Sequence, residues 1–401
     1  MDSCLRNSEQ AVLSFYPSFQ KYLLSSVFRY LLLLHTFLRS PKGQQKTRLP
    51  VLFQTKKTYA DLLIDDQWIY DMFCDTHSDD DIIIHRTDLG FQCIFDREKV
   101  FLMEYVFHSA TDYKSVISKY GHGISEIISI RIGSDARIYI LLEHSHNDEK
   151  NTNLYTAIVM DVDWDKGVIT SDRCCELGEL NSNFYKLQNC GDQLLIVGTR
   201  CTYRGENTTK NAMFFDMNGH LTHAFCMGDG ISRVVARKDH TILASYFDEG
   251  IFGNLGWDDP IGSPGVIIWS DQGQKIWESD RDIIDCYAAN VDDDGNAWYY
   301  YYDEFLLVKN VSGVETEYDP GIEGAHFFLF TEDGHVIMNG GYDAGSFLYV
   351  LTLEPSPSKE ELKLYCGEEK PIFTSMTSYA SYGLFFDNKN RMFLTRFTRM
   401  S

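Results

Sequence analysis

Basic residues are scarce in this chain. Lysine and arginine number 36 against 58 aspartates and glutamates, a net charge of −22. A surface that acidic repels phosphate backbones. It argues against nucleic acid and for cationic ligands or basic protein surfaces. None of the ten cysteines stands in a C-x-x-C pair, so neither a zinc ribbon nor a thioredoxin-type site is indicated. Several sit inside apolar strands, as Cys93 and Cys226 do, which reads as buried free thiols in a reducing, cytoplasmic compartment. There is no G-x-S-x-G nucleophile elbow and no Walker loop, and no G-x-G-x-x-G leads from a strand into a helix. Only 9 prolines interrupt the chain. No apolar run reaches the roughly 20 residues of a spanning helix. The nearest, Tyr22–Leu38, is broken by Arg29 and His35. It is read as a packed or loosely docked helix, with a membrane anchor as the alternative because Arg39 and Lys42 follow it.

What is present is a period. Strand–turn–strand units recur with tight turns at Ser134-Asp135, Cys190-Gly191-Asp192, Lys238-Asp239, Asp293-Asp294-Gly295 and Asp333-Gly334, spaced by 57, 47, 55 and 39 positions. A second tight turn follows in each unit, at Asp163–Gly167, Asp216–Gly219, Asp271–Gly273, Asn310–Gly313 and Pro355–Ser358. Asp, Asn and Gly recur there because hairpin turns need positive φ. Four strands per 40–50 residues is the signature of a β-propeller. The fold class is therefore all-β, one propeller of six four-stranded blades, or seven if Asp71–His85 and Val51–Ile64 add hairpins. The hairpin Leu384–Leu394 has no complete blade after it and Phe91–Phe101 none before it. Pairing the two would close the ring.

Charge marks the domain organisation. Residues 1–60 carry nine basic side chains against Asp2 and Glu9, a net of +7, leaving −29 for the other 341. Residues 1–48 are read as a basic N-terminal helical extension and 49–401 as the propeller. Electrostatic docking or membrane contact through that extension is the expectation it raises.

Loop lengths separate the faces. Turns between first and second, and third and fourth, strands are short. Links between second and third strands are long at Glu143–Asn153, Gly198–Asn211, Ser245–Gly265 and Asn339–Ser346. Function concentrates on long loops held by a rigid scaffold. Ser245–Gly265 is the most unusual, with five glycines, four aromatics and four carboxylates. It reads either as a loop that buries its own aromatics or as a binding lip. In the second case Trp257 stacks on a ligand, Phe247 adds aromatic area, and Asp248, Glu249, Asn254, Asp258 and Asp259 supply polar contacts. Tyr342 and Asp343 share that face.

Within this loop, Tyr246–Asn254, Gly256-Trp257, Pro260-Ile-Gly262 and the following Asp271-Gln-Gly273 resemble a segment of uncharacterised bacterial propeller-like proteins, which implies no activity. Val291–Trp298 is similar to the blade turn of gluconolactonase-like and NHL-repeat propellers, a turn motif and not a catalytic one.

Metal signals are weaker. Asp161–Gly167 and Asp292–Asn296 place oxygens at alternate positions as calcium loops do, without the spacing of an EF-hand. His144 and His146 would share a face of an extended strand. Two functional classes fit. The first is a non-catalytic binding or scaffold propeller that recognises a protein or a small polar ligand on the long-loop face, with no cofactor. The second is a metal-dependent hydrolase or lactonase holding a divalent cation among Glu179, Asp229, Asp285 and Glu323, with His326 beside them. The first is preferred, since no catalytic set is recognisable.

Overall fold

A computed structural model describes residues 82–87, 90–95, 103–107, 109–181 and 183–397. The chain divides into two units, Met1–Asp96 and Arg97–Ser401. Within the first, β1 (Ile82–Thr87) and β2 (Gly90–Phe95) pair as an antiparallel hairpin. The boundary at 48/49, the stretch Tyr22–Leu38 and the candidate hairpin Val51–Ile64 lie outside the described residues. No described helix is long and apolar enough to cross a membrane.

The second unit is a six-bladed β-propeller. It opens with β3 (Met103–Phe107) and helix α1 (Tyr113–Lys119), which Asp112 caps by accepting from the Ser115 amide at 3.1 Å. Blade one is β4 (Ile127–Ile132), β5 (Ile138–Asn147), β6 (Thr152–Asp163) and β7 (Val168–Asn181). Blade two is β8 (Tyr185–Cys190), β9 (Gln193–Gly198), β10 (Ala212–Phe215) and β11 (Leu221–Phe225). Blade three is β12 (Ile231–Ala236), β13 (Ile242–Tyr246), β14 (Val266–Trp269) and β15 (Lys275–Glu278), with helix α2 (Asp248–Phe252) after β13. Blade four is β16 (Asp285–Val291), β17 (Ala297–Tyr302), β18 (Leu307–Val311) and β19 (Val314–Tyr318). Blade five is β20 (Phe328–Phe330), β21 (Val336–Gly340), β22 (Gly345–Thr352) and β23 (Ser358–Cys366), with one helical turn, α3 (Gly341–Ala344), between β21 and β22. Blade six is β24 (Phe373–Tyr379), β25 (Tyr382–Asp387) and β26 (Met392–Arg396).

Each first strand packs beside the next, and β24 meets β4, so the ring closes around a channel. Polar side chains knot the inner strands together. Gln188 Oε1 accepts from the Ala236 amide at 2.8 Å, tying blade two to blade three. Buried Asn290 donates to Phe328 O at 3.0 Å and accepts from the Ala380 amide at 3.1 Å, joining blades four, five and six. Second strands are buried on both faces, as the stacking of blades demands. Tyr299, Tyr300 and Tyr301 are all enclosed although consecutive residues point to opposite faces. Each hydroxyl then finds an acceptor: Glu315, Ile322 O and Glu304, all at 2.5 Å.

The ring closes differently from the sequence expectation. The Leu384–Leu394 hairpin is real, as β25 and β26, and β25 pairs with β24; within the first unit Phe91–Phe95 pairs with β1. Blade six thus has three strands and one bridge, the Thr111 amide donating to Met392 O at 2.7 Å. Strand β3 joins blade five instead, parallel to β23. The reason is aromatic. Phe107 meets Phe393 at 5.1 Å and Phe373 and Phe385 at 5.8 Å, and Tyr105 meets Phe397 at 4.9 Å. Strand β3 fills the wedge between blades five and six with the rings of Tyr105 and Phe107.

Two predicted long links shrink. Strands β5 and β6 extend to Asn147 and Thr152, so Glu143–Asn153 is mostly hairpin, and Asn339–Ser346 becomes α3. Gly198–Asn211 and Ser245–Gly265 remain genuine loops on one face.

Candidate functional site

The Ser245–Gly265 loop is built around a buried ion pair. Arg200 lies in the Gly198–Asn211 link, and its guanidinium grips Asp229 with two bonds of 3.0 Å. The Asp229 side chain is 2 % exposed and also accepts from the Cys201 amide at 2.7 Å. Arg200 reaches Glu249 at 2.5 Å and lies over the Phe247 ring at 5.5 Å. Glu249 in turn accepts from Asn254 at 2.6 Å. Gly230, at φ +69°, lets the link after blade two touch the start of α2, since a Cβ there would stand 2.3 Å from the Gly250 nitrogen.

Trp257 is packed, not presented. It is 9 % exposed, its Nε1 donates to Cys201 O at 2.6 Å, and Tyr203 covers it at 4.9 Å. Of the predicted contacts, the loop offers Asp248, Asn254, Asp258 and Asp259 to solvent, with Phe247 and Glu249 half-buried; the aromatic it exposes is Phe252. Tyr342 and Asp343 on α3 are exposed on the same face. Tyr342 belongs to an aromatic cluster at the channel rim. Its hydroxyl meets that of Tyr287 at 2.6 Å, and Tyr287 packs on His326 at 4.7 Å and on Tyr302 at 6.0 Å.

The expected ring of carboxylates does not form. Glu179 lies on the outermost strand, because β7 runs on to Asn181, and it binds Lys150 at 3.1 Å and Thr152. Asp229 is held by Arg200. Glu323 contributes its backbone oxygen to the Tyr342 amide at 2.9 Å. Asp285 is the first residue of β16, where burial and then Asp248 push its carboxyl up to about 6. The candidate calcium turns spend their oxygens internally. Asp163 caps Lys166, while Asp292 accepts from Asn296 and from Trp298 Nε1, each at 2.9 Å. A bulge at Ser145, φ +57°, separates the two histidines. His144 meets Thr156 at 2.9 Å, and His146 meets Asn153 and Asp148.

What converges on the channel is cationic. Arg131 on β4, Lys186 on β8 and Arg233 on β12 come from three successive first strands. Among the described residues no carboxylate lies within ion-pair distance of any of them. Their contacts are backbone oxygens: Ile130 at 3.1 Å for Arg131, Ile231 at 3.4 Å for Lys186 and His326 at 2.9 Å for Arg233. Arg131, Arg233 and His326 line one channel cavity of about 50 Å³ with Ser378 and Thr377. Arg131 and Lys186 also line a groove of about 920 Å³ between blades one and two, whose other cations are Lys150, Arg200, Arg204 and Lys210. Of these, Arg200 is held by Asp229 and Glu249 and Lys150 by Glu179, and Glu143 is the other carboxylate that lines the groove. The overall negative charge therefore masks a basic strip.

The cost shows in the ionisation. Burial, then Arg131 and Arg233, push the Lys186 ammonium down to about 7. Burial also lowers Arg131, to about 10, and lowers His326, with Arg233 adding to both. An unfolded lysine holds its proton to about pH 10.4. The native state therefore disfavours the Lys186 proton. The penalty is full below about pH 7 and fades as pH rises towards 10.4. Lys186→Met is expected to raise the melting temperature, with a larger gain at pH 6 than at pH 10. Equal gains at both pH values would show that Lys186 bears no such strain.

The sequence signal for this cluster is one cation inside each apolar first strand: Ile130-Arg131-Ile132, Tyr185-Lys186-Leu187 and Ser232-Arg233-Val234.

No protein-family model matches the chain, and no curated protein matches it. Solved propeller structures resemble it at low identity. Virginiamycin B lyase from Staphylococcus aureus is 10 % identical over 67 % of this chain and 83 % of its own, with a TM-score of 0.38. The PQQ-bound aldose sugar dehydrogenase from Streptomyces coelicolor is 10 % identical over 68 % and 94 %, with a TM-score of 0.40. YCF48 bound to D1 peptide is 10 % identical over 67 % and 93 %, with a TM-score of 0.38. Likeness at this level carries no activity, ligand or partner over to this chain.

Proposed function

We propose that this propeller is a non-catalytic binding protein that receives a polar ligand on its long-loop face. The observation that carries the reading is the groove of about 920 Å³ between blades one and two, which shares Arg131 with the channel cavity. Tight turns leave the opposite ends of the same blades plain, while two long links wall this side. The Phe247–Asp259 stretch and the Tyr342 cluster stand on the same face as flanking contacts, with Trp257 serving the loop's own packing. The hydrolase alternative needs several of Glu179, Asp229, Asp285 and Glu323 free to hold a cation together, and Asp229 and Glu179 already have protein partners, which leaves Asp285 and Glu323.

The test is a thermal-shift screen of small polar compounds against the full chain and a groove-filled variant, Thr202→Trp. Thr202 is exposed and lines the groove, so the variant narrows the groove without touching the core. Compounds that stabilise the wild type should fail on the variant and should be recovered unchanged after incubation. Shifts indifferent to Thr202→Trp, a screen without hits, or chemical conversion of a hit would each overturn the proposal.

A further inference from the structure

We infer that the channel cluster Arg131, Lys186 and Arg233 is an oxyanion site, which takes the terminal phosphate or carboxylate of a small polar ligand whose body lies in the adjoining groove. The inference rests on the binding reading above and specifies its chemistry.

Three observations lead to it. The first is convergence without neutralisation. Three cations from three blades approach one channel in a protein of net charge −22, with no carboxylate placed to pair with them among the described residues. Each donates to a single backbone oxygen and keeps the rest of its N–H donors in hand, out of five for a guanidinium and three for an ammonium. Two guanidiniums and an ammonium are the donor set that matches the planar or tetrahedral oxygens of carboxylate and phosphate.

The second is space. The cavity lined by Arg131, Arg233 and His326 measures about 50 Å³. That holds a headgroup and not a whole metabolite, given about 30 Å³ for one water in the liquid. Ser378 and Thr377 line the same cavity and add side-chain hydroxyls. Arg131 lines both this cavity and the groove, and Lys186 lines the groove beside it, so a headgroup in the channel is continuous with a body outside.

The third is cost. Like charges held together away from solvent destabilise the fold unless something answers them. Elsewhere among the described residues, partly buried arginines are answered. Arg200 has Asp229 and Glu249, Arg391 has Asp387 and Glu369, and Arg281 has Glu315 and Glu317. The exception sits where the ring offers an enclosed, shaped space, and residues that cost stability at such a place are the mark of a site.

The experiment measures melting of the full chain with inorganic phosphate, malonate and sodium chloride at equal ionic strength, for the wild type, Lys186→Met, Arg131→Gln and Arg233→Gln. Phosphate, malonate or both should raise the wild-type melting temperature well above chloride. Each variant should bind at least about tenfold more weakly by titration calorimetry. Phosphate alone, or malonate alone, would identify which oxyanion the headgroup is. Because removal of an unanswered cation relieves repulsion, the variants should fold. Lys186→Arg, which keeps the charge, should retain binding and separates lost charge from lost structure. No shift beyond chloride in the wild type, or undiminished binding in all three variants, would overturn the inference. Binding that depends on these cations while no groove compound responds to Thr202→Trp would leave the channel site standing and remove the broader reading. Groove compounds sensitive to Thr202→Trp and indifferent to the cation variants would do the reverse.

Discussion

Trp257→Ala is expected to lower the unfolding free energy by about 3 kcal/mol, the lower end for deletion of a buried tryptophan. The indole fills the space between the Gly198–Asn211 and Ser245–Gly265 loops, and its loss orphans Cys201 O, to which Nε1 donates at 2.6 Å. The lower end applies because Tyr203, its neighbour at 4.9 Å, is itself half exposed and can move into the space. Trp257→Phe keeps much of the apolar area and loses only the donor, so it should cost about 1–2 kcal/mol. Urea unfolding of the three proteins checks both figures. A melt of Trp257→Ala that coincides with the wild type would mean the indole is a displayed contact after all. The lip reading of this loop would then regain its aromatic anchor.

Asp229→Ala is the second large effect, again about 3 kcal/mol. Removing one partner of a buried ion pair costs about 3–5 kcal/mol because the other charge stays behind. The lower end applies because Arg200 is 31 % exposed and retains Glu249. The Cys201 amide would also lose its acceptor. The damage should be local as well as global. Amides of Phe247–Gly253 should exchange faster with solvent, since Arg200, freed from Asp229, no longer fixes Glu249 and Phe247. Asp229→Asn keeps an acceptor for Cys201 and should lose less. Equal stability and unchanged exchange in Asp229→Ala would show that the loop is held by Trp257 alone.

Neither residue advertised its role through type or spacing. The aromatics and carboxylates of Ser245–Gly265 were conspicuous, and the two readings of that loop were both open. The choice fell to Cys201 O, 56 positions away, which accepts from Trp257. Similarly, Glu179 looked like a channel acid because the end of β7 could not be located from turn residues. Its strand simply continues, paired with Leu154, to the outer rim. His144 and His146 looked like a metal pair until a bulge at Ser145 turned them apart.

The sequence by itself determined the blades. Turn chemistry is local: Asp, Asn and Gly at Ser134–Asp135, Asp216–Gly219 or Asp271–Gly273 dictate where the backbone reverses whatever surrounds it. Alternating apolar residues then dictate which faces stack, so five repeats and the loop-rich face were legible. Tertiary structure decided how the ring closes and what stands in the channel. Strand β3 pairs with blade five while its Phe107 packs on phenylalanines of blade six that lie more than 260 positions later in the chain. Arg131, Lys186 and Arg233 are separated by 55 and 47 positions, and each alone is a cation in an apolar strand. Only closure of the ring brings them to a common axis. Charge–charge interaction depends on distance in space, which no local pattern specifies.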